Sequence, residues 1–86
     1  MCSMVYVVER YLPGLSRSDL LYGLSRLERD AEVRYLGSTI VLGDEACYCR
    51  FAAPTEAAVA EANRRAGLSF DRIVPVVEVE PEGEAR

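Results

Sequence analysis

The 86-residue chain predicts a single α+β domain of the ferredoxin-like βαββαβ plan, a four-stranded antiparallel sheet with two helices on one face. Three observations carry this expectation. Four runs rich in β-branched and aromatic residues have the make-up of strands. Two stretches with apolar residues at helical spacing separate the first run from the second and the third from the fourth. The second and third runs meet at a tight turn and form a hairpin. The domain is expected over residues 1–80, with 81–86 a disordered acidic tail.

Met4–Tyr11 (MVYVVERY) is the first strand, and Leu12-Pro13-Gly14 breaks it. Ser16–Glu32 (SRSDLLYGLSRLERDAE) reads as a helix. Ser16 suits the N-cap, and Asp19 completes a capping-box-like pair. Leu20, Leu24, Leu27 and Ala31 form its apolar stripe. Gly23 weakens this helix by roughly 1 kcal/mol against Ala, which close packing on the sheet would explain. Glu32–Leu42 is the second strand, Gly43-Asp44 a two-residue turn, and Glu45–Ala52 the third strand. Pro54 stops it. A second helix opens near Thr55 and runs through Glu56–Ala66, with Gly67 at C′ and a hydrophobic contact from Leu68. Asp71–Glu80 (DRIVPVVEVE) is the fourth strand, and Pro75, lacking a ladder donor, places it at an edge.

Composition narrows the functional classes. The net charge of −4, from 14 acids and 10 bases, offers no basic stripe for nucleic acid. No apolar run approaches the ~20 residues of a membrane helix. The N-terminus lacks the basic region of a signal peptide, and three cysteines are an odd number. Both features point to a reducing cytoplasm. Half the residues are apolar, yet a domain this small buries only about 60% of its unfolded-chain surface. A second copy is the economical cover for the surplus.

The segment EACYCRF raises the question of thiol chemistry. Alternation puts Cys47, Cys49 and Phe51 on one face of the third strand. A turn at Gly43-Asp44 pairs Leu42 with Glu45, Ile40 with Cys47 and Ser38 with Cys49, so Leu36, Ile40 and Leu42 join that apolar, helix-covered face. Zinc needs about four ligands, whereas the chain has no His and Cys2 is its only other thiol. A disulfide between residues i and i+2 of a strand is geometrically poor. The pair is therefore expected to be core, with no metal or cofactor bound; nickel and zinc should bind weakly or not at all.

The opposite face then carries Tyr35, Gly37, Thr39, Val41, Ala46, Tyr48 and Arg50. A sheet covered on one side alternates more cleanly than these outer strands do. A two-fold homodimer, sheet to sheet, would cover the open face and enclose a pocket. Tyr35, Tyr48, Arg50 and Glu9 are the candidate ligand-binding groups in that apolar cavity. Glu9 and Arg50 are also the candidate catalytic groups, with Glu9 as partner to Arg50 or as general base. The alternative for both charges is a position near a strand end, where each merely forms a salt bridge or meets water.

The segments VYVVERYLPG, VRYLGS and CRFAAPTEAAVAEANRRAGLSFDRI resemble a family of small bacterial ferredoxin-like proteins of unknown function that includes nickel-binding members. The likeness spans about Val5 to Val76, and C-x-F-x-A-P followed by A-x-x-A-G-L-x-x-D-x-I is its most specific part. It implies the dimeric α+β barrel form of the fold. It also implies that metal-binding relatives carry His at the positions of Glu9, Gly37, Ala62 and Ala66, none of which is His here. The function expected is a dimer binding an apolar small molecule. The alternatives are a cofactor-free cyclase, isomerase or monooxygenase, a divergent nickel-binding homologue, and a structural interaction module; no reaction is identified.

Overall fold

The computed structural model describes residues 3–11, 17–27, 32–79 and 81, without the side chains of Arg17, Asp19 and Leu20. Its elements are β1 (Met4–Tyr11), α1 (Arg17–Leu27), β2 (Arg34–Val41), β3 (Ala46–Ala53), α2 (Glu56–Arg65) and β4 (Arg72–Val76). The sheet order is β2-β3-β1-β4 with every neighbouring pair antiparallel. This is the expected ferredoxin-like α+β fold. β4 lies at an edge, where the missing donor of Pro75 is tolerated. The expected cap at Ser16, the break at 12–14, Ala31, Cys2 and the tail at 82–86 lie outside the described residues. No described helix is long and apolar enough to cross a membrane.

β3 shows strict alternation: Cys47, Cys49, Phe51 and Ala53 are buried, while the residues between them are half-buried. Tyr6 and Val8 of β1 continue that buried face, and Leu24, Leu27, Val59 and Ala62 pack on it from the two helices. A helix stripe against a period-two sheet face is the usual way such a layer closes.

α2 is bounded by complete caps. Thr55 accepts the backbone N–H of Ala58 at 3.1 Å, an N-cap bond to the third helical residue. At the other end Gly67 is left-handed at φ 77°, the Leu68 N–H reaches Asn63 O at 2.9 Å, and the Gly67 N–H reaches Arg64 O at 3.0 Å. These are the two bonds of a Schellman motif, and Leu68 packs against the core beyond it.

The structure corrects four expectations: the end of β4, the hairpin turn, the burial of Ile40 and Leu42, and the regularity of β2. α1 is described over Arg17–Leu27 and its expected continuation over 28–31 lies outside the described residues, while Glu32 is a bend and not helix. β4 ends at Val76 and not at Glu80, because its partner β1 offers Val5 opposite Val76 and is itself about to end. The hairpin turn spans residues 42–45, with the Asp44 N–H on Val41 O at 3.2 Å and Glu45 left-handed at φ 53°, so Gly43-Asp44 are not a two-residue turn. The pairing of Ile40 with Cys47 and Ser38 with Cys49 is nonetheless as expected. Ile40 and Leu42, expected under the helices, are exposed at the hairpin end. The fourth correction is a bulge between Tyr35 and Gly37.

Gly23 is buried where α1 meets the segment after α2, and a Cβ built there would overlap the Leu68 side chain. Packing on Leu68, not on the sheet, explains it. Overpacking costs about 1–3 kcal/mol and outweighs the roughly 1 kcal/mol of helix propensity that Ala brings. Gly23→Ala should therefore lower the denaturant midpoint, whereas the same change in a Leu68→Ala background should raise it. Equal effects in both backgrounds would show that the contact does not set the sign.

Candidate functional site

The open face is built from alternate residues of all four strands. Register places Val5, Val7 and Glu9 of β1 opposite Ala52, Arg50 and Tyr48 of β3 and opposite Val76, Val74 and Arg72 of β4. Gly37 and Thr39 of β2 lie beside Arg50 and Tyr48. Val5, Val7, Val74 and Val76 are half-buried, as are Glu9, Tyr48 and Arg50. Three of the four expected pocket residues therefore share one face, on the two interior strands.

Their charge pairing differs from expectation. Arg50 Nη1 meets Glu78 Oε2 at 3.3 Å, and Glu9 Oε2 meets Arg72 Nη2 at 2.8 Å. Glu9 is thus not the partner of Arg50. Register gives the reason: Glu9 stands directly across from Arg72 on its β4 side, while its β3 neighbour is Tyr48. Gly37 allows the Arg50 guanidinium to lie close over β2, since a Cβ there would sit 2.7 Å from Nη2. Its φ of 148° is also one that side-chain-bearing residues rarely adopt.

Tyr35 is not on this face. The bulge inserts one residue before Gly37, so Tyr35 pairs with Phe51 and turns to the helix-covered side. Its ring packs on Phe51 with centroids 5.5 Å apart. Tyr35 Oη lies 2.7 Å from Ser38 Oγ, Ser38 Oγ donates to Cys49 Sγ at 2.9 Å, and the two sulfurs are 3.5 Å apart. Burial raises the Tyr35 pKa. Cys47 and Cys49 are buried, as the alternation of β3 predicts.

Sequence reasoning missed Arg10. It follows Tyr6 and Val8 on the covered face, opposite Cys47, and is only 2% exposed. Nη2 donates to Asn63 Oδ1 at 2.8 Å and Nη1 to Ser69 O at 3.0 Å. Asn63, itself buried on α2, is fixed by donating from Nδ2 to Val59 O at 2.8 Å. Nε has no hydrogen-bond partner.

Among the described residues no three His, Cys, Asp or Glu side chains gather where they could hold a metal ion. The four positions linked to histidine by resemblance fall on both sides of the sheet. Glu9 and Gly37 face the open side, whereas Ala62 and Ala66 are buried with the helix-covered core.

A family model described as "Nickel responsive protein SCO4226-like" matches residues 6–76. A solved structure, that of SCO4226 from Streptomyces coelicolor A3(2), superposes with a TM-score of 0.74 at 20% sequence identity, covering 88% of this chain and 99% of that one. No curated protein sequence matches the chain.

Burial, reinforced by Cys49, pushes the Cys47 thiol up to about 11 from an ordinary 9.0. The folded state thus holds this proton more tightly than the unfolded chain. The resulting stabilisation is complete below pH 9.0 and is lost as pH rises towards about 11. The thermal midpoint of Cys2→Ser protein should fall across this window. Replacing Cys47 by Ala as well should flatten the fall; an unchanged profile would remove Cys47 from the account.

Proposed function

This chain belongs to the SCO4226-like family of nickel-responsive proteins, and we propose that within it the chain works as a homodimer that binds an apolar small molecule between two open sheet faces. The observation that carries this reading is the make-up of that face. Val5, Val7, Val74 and Val76 form a half-buried apolar patch with Tyr48 and Arg50 beside it. Its charges are matched internally, Arg50 with Glu78 and Glu9 with Arg72. A two-fold copy can therefore approach without meeting a field of like charge.

Nickel does not fit the residues available for it. Nickel is well served by imidazole, and the chain has no His. Glu9 is the only one of the four resemblance-linked positions with a donor side chain, and it is ion-paired with Arg72. In this reading the polar groups of the site orient an organic ligand: Arg50 meets an acidic or carbonyl group, Tyr48 stacks or hydrogen-bonds, and the valines supply contact area. The reading leaves the protein a binder. Neither Glu9 nor Arg50 stands free of an opposite charge to serve as acid or base.

Light scattering at micromolar concentration should return twice the chain mass. Val7→Glu places like charges across the two-fold axis near the middle of the patch and should give a folded monomer; a monomeric parent would sink the dimer.

Arg50→Ala should keep the dimer and weaken binding of the anionic apolar dye anilinonaphthalene sulfonate by roughly tenfold, the order expected when a charged hydrogen bond is lost. Dye bound equally well by the parent and this variant would mean that the face serves packing alone.

A further inference from the structure

The covered side of the sheet holds a buried cluster that the proposed pocket does not use. Arg10 is a charge taken out of water, 2% exposed. A buried cation normally has an anion beside it, because its desolvation is otherwise uncompensated. The ion pairs found among the described residues do not include Arg10. Its two hydrogen-bond acceptors, Asn63 Oδ1 and Ser69 O, are neutral, and its Nε has none. Across the ladder from it stands Cys47, whose sulfur is 3.5 Å from that of Cys49. The positive charge of Arg10 is felt at Cys47, where it opposes the effect of burial.

We propose that Cys47 and Cys49 form a two-coordinate site for a soft monovalent metal ion, Cu(I) or Ag(I), with Arg10 as its buried countercharge. The strand sets the geometry, since residues i and i+2 share a face and bring both sulfurs together without any loop. Ligand chemistry sets the ion. Thiolates select soft metals, two ligands are too few for zinc, and no imidazole is present for nickel. Charge then closes the argument. Two thiolates on a monovalent ion carry one net negative charge, which Arg10 neutralises.

Binding forms two metal–sulfur bonds and releases two thiol protons to solvent, with no electron transferred when the ion arrives as Cu(I). The sulfurs part to admit it. Ser38 and Tyr35 lie on the edge strand β2, half-buried, and connect Cys49 towards the surface through the 2.9 and 2.7 Å contacts. Arg10 is a positioning residue here, held in place by Asn63 of α2.

The test uses reduced Cys2→Ser protein under anaerobic conditions, with Cu(I) supplied as its bicinchoninate complex. One Cu(I) per chain should pass to the protein, with ultraviolet thiolate-to-metal absorption appearing in step. Excess Ni(II) or Zn(II) should not displace it. Adding Cys47→Ser or Cys49→Ser should abolish transfer. Arg10→Met should weaken it by about tenfold, as loss of an outer-sphere partner does, and Arg10→Lys should restore part of that. Asn63→Asp sets a carboxylate beside Arg10 and should weaken binding to a similar degree; it decides the countercharge should Arg10→Met fail to fold. The site is overturned if Cys2→Ser protein takes up no Cu(I), or if either single serine variant still takes up one ion. Full affinity in folded Arg10→Met, or in Asn63→Asp, overturns the role of Arg10.

Discussion

The interior position of β3 is the constraint on which both faces depend. It is hydrogen-bonded to β2 on one side and β1 on the other, so its register is fixed twice. A slip of one residue would carry the buried set, Cys47, Cys49, Phe51 and Ala53, to the open side and bring Arg50 under the helices. Because the covered side is already filled by Leu24, Leu27 and Val59 and holds the Arg10 guanidinium on its own acceptors, that alternative has no place for a second one. The same register that hides the thiols therefore presents Tyr48 and Arg50 to the open face.

This much was legible in the sequence, since alternation is local and the hairpin is short. Two of the three pairs read from the turn, Ile40 with Cys47 and Ser38 with Cys49, hold in the structure, whereas Leu42 and Glu45 belong to the longer turn itself. The parity of the outermost β2 residues was not legible, because a bulge cancels the inference from spacing. Gly37 was its one sign. A glycine inside a strand often marks a bulge or a close approach of another group, and here it marks both, with Arg50 lying over it. Without the bulge Tyr35 would face the open side. With it, Tyr35 caps the thiol cluster through Ser38.

Arg10 was hidden for a different reason. Its parity with Tyr6 and Val8 was plain, but arginine is so often exposed that a strand-end position reads as solvent. Its burial depends on acceptors far along the chain, Asn63 on α2 and Ser69 beyond it. Neither is predictable from β1 alone. The ion pairs failed similarly. Glu9 and Arg50 lie on neighbouring strands, yet each finds its partner in the C-terminal region, at Arg72 and Glu78.

Family membership and the absence of histidine are compatible on physical grounds. A fold shared at 20% identity with a TM-score of 0.74 rests on pattern and volume in the core, which tolerate extensive substitution. Site chemistry rests on particular donors, and these can be lost without touching the core. Here Glu9 and Gly37 belong to one face while Ala62 and Ala66 pack in the other. A histidine at Ala62 or Ala66 would have to be accommodated within the core, so the alanines suit the packing as it stands. The open face and the Arg10–Cys47–Cys49 cluster are separated by the sheet itself. Changes confined to one side should leave the chemistry of the other largely intact, since residues without shared partners behave nearly additively.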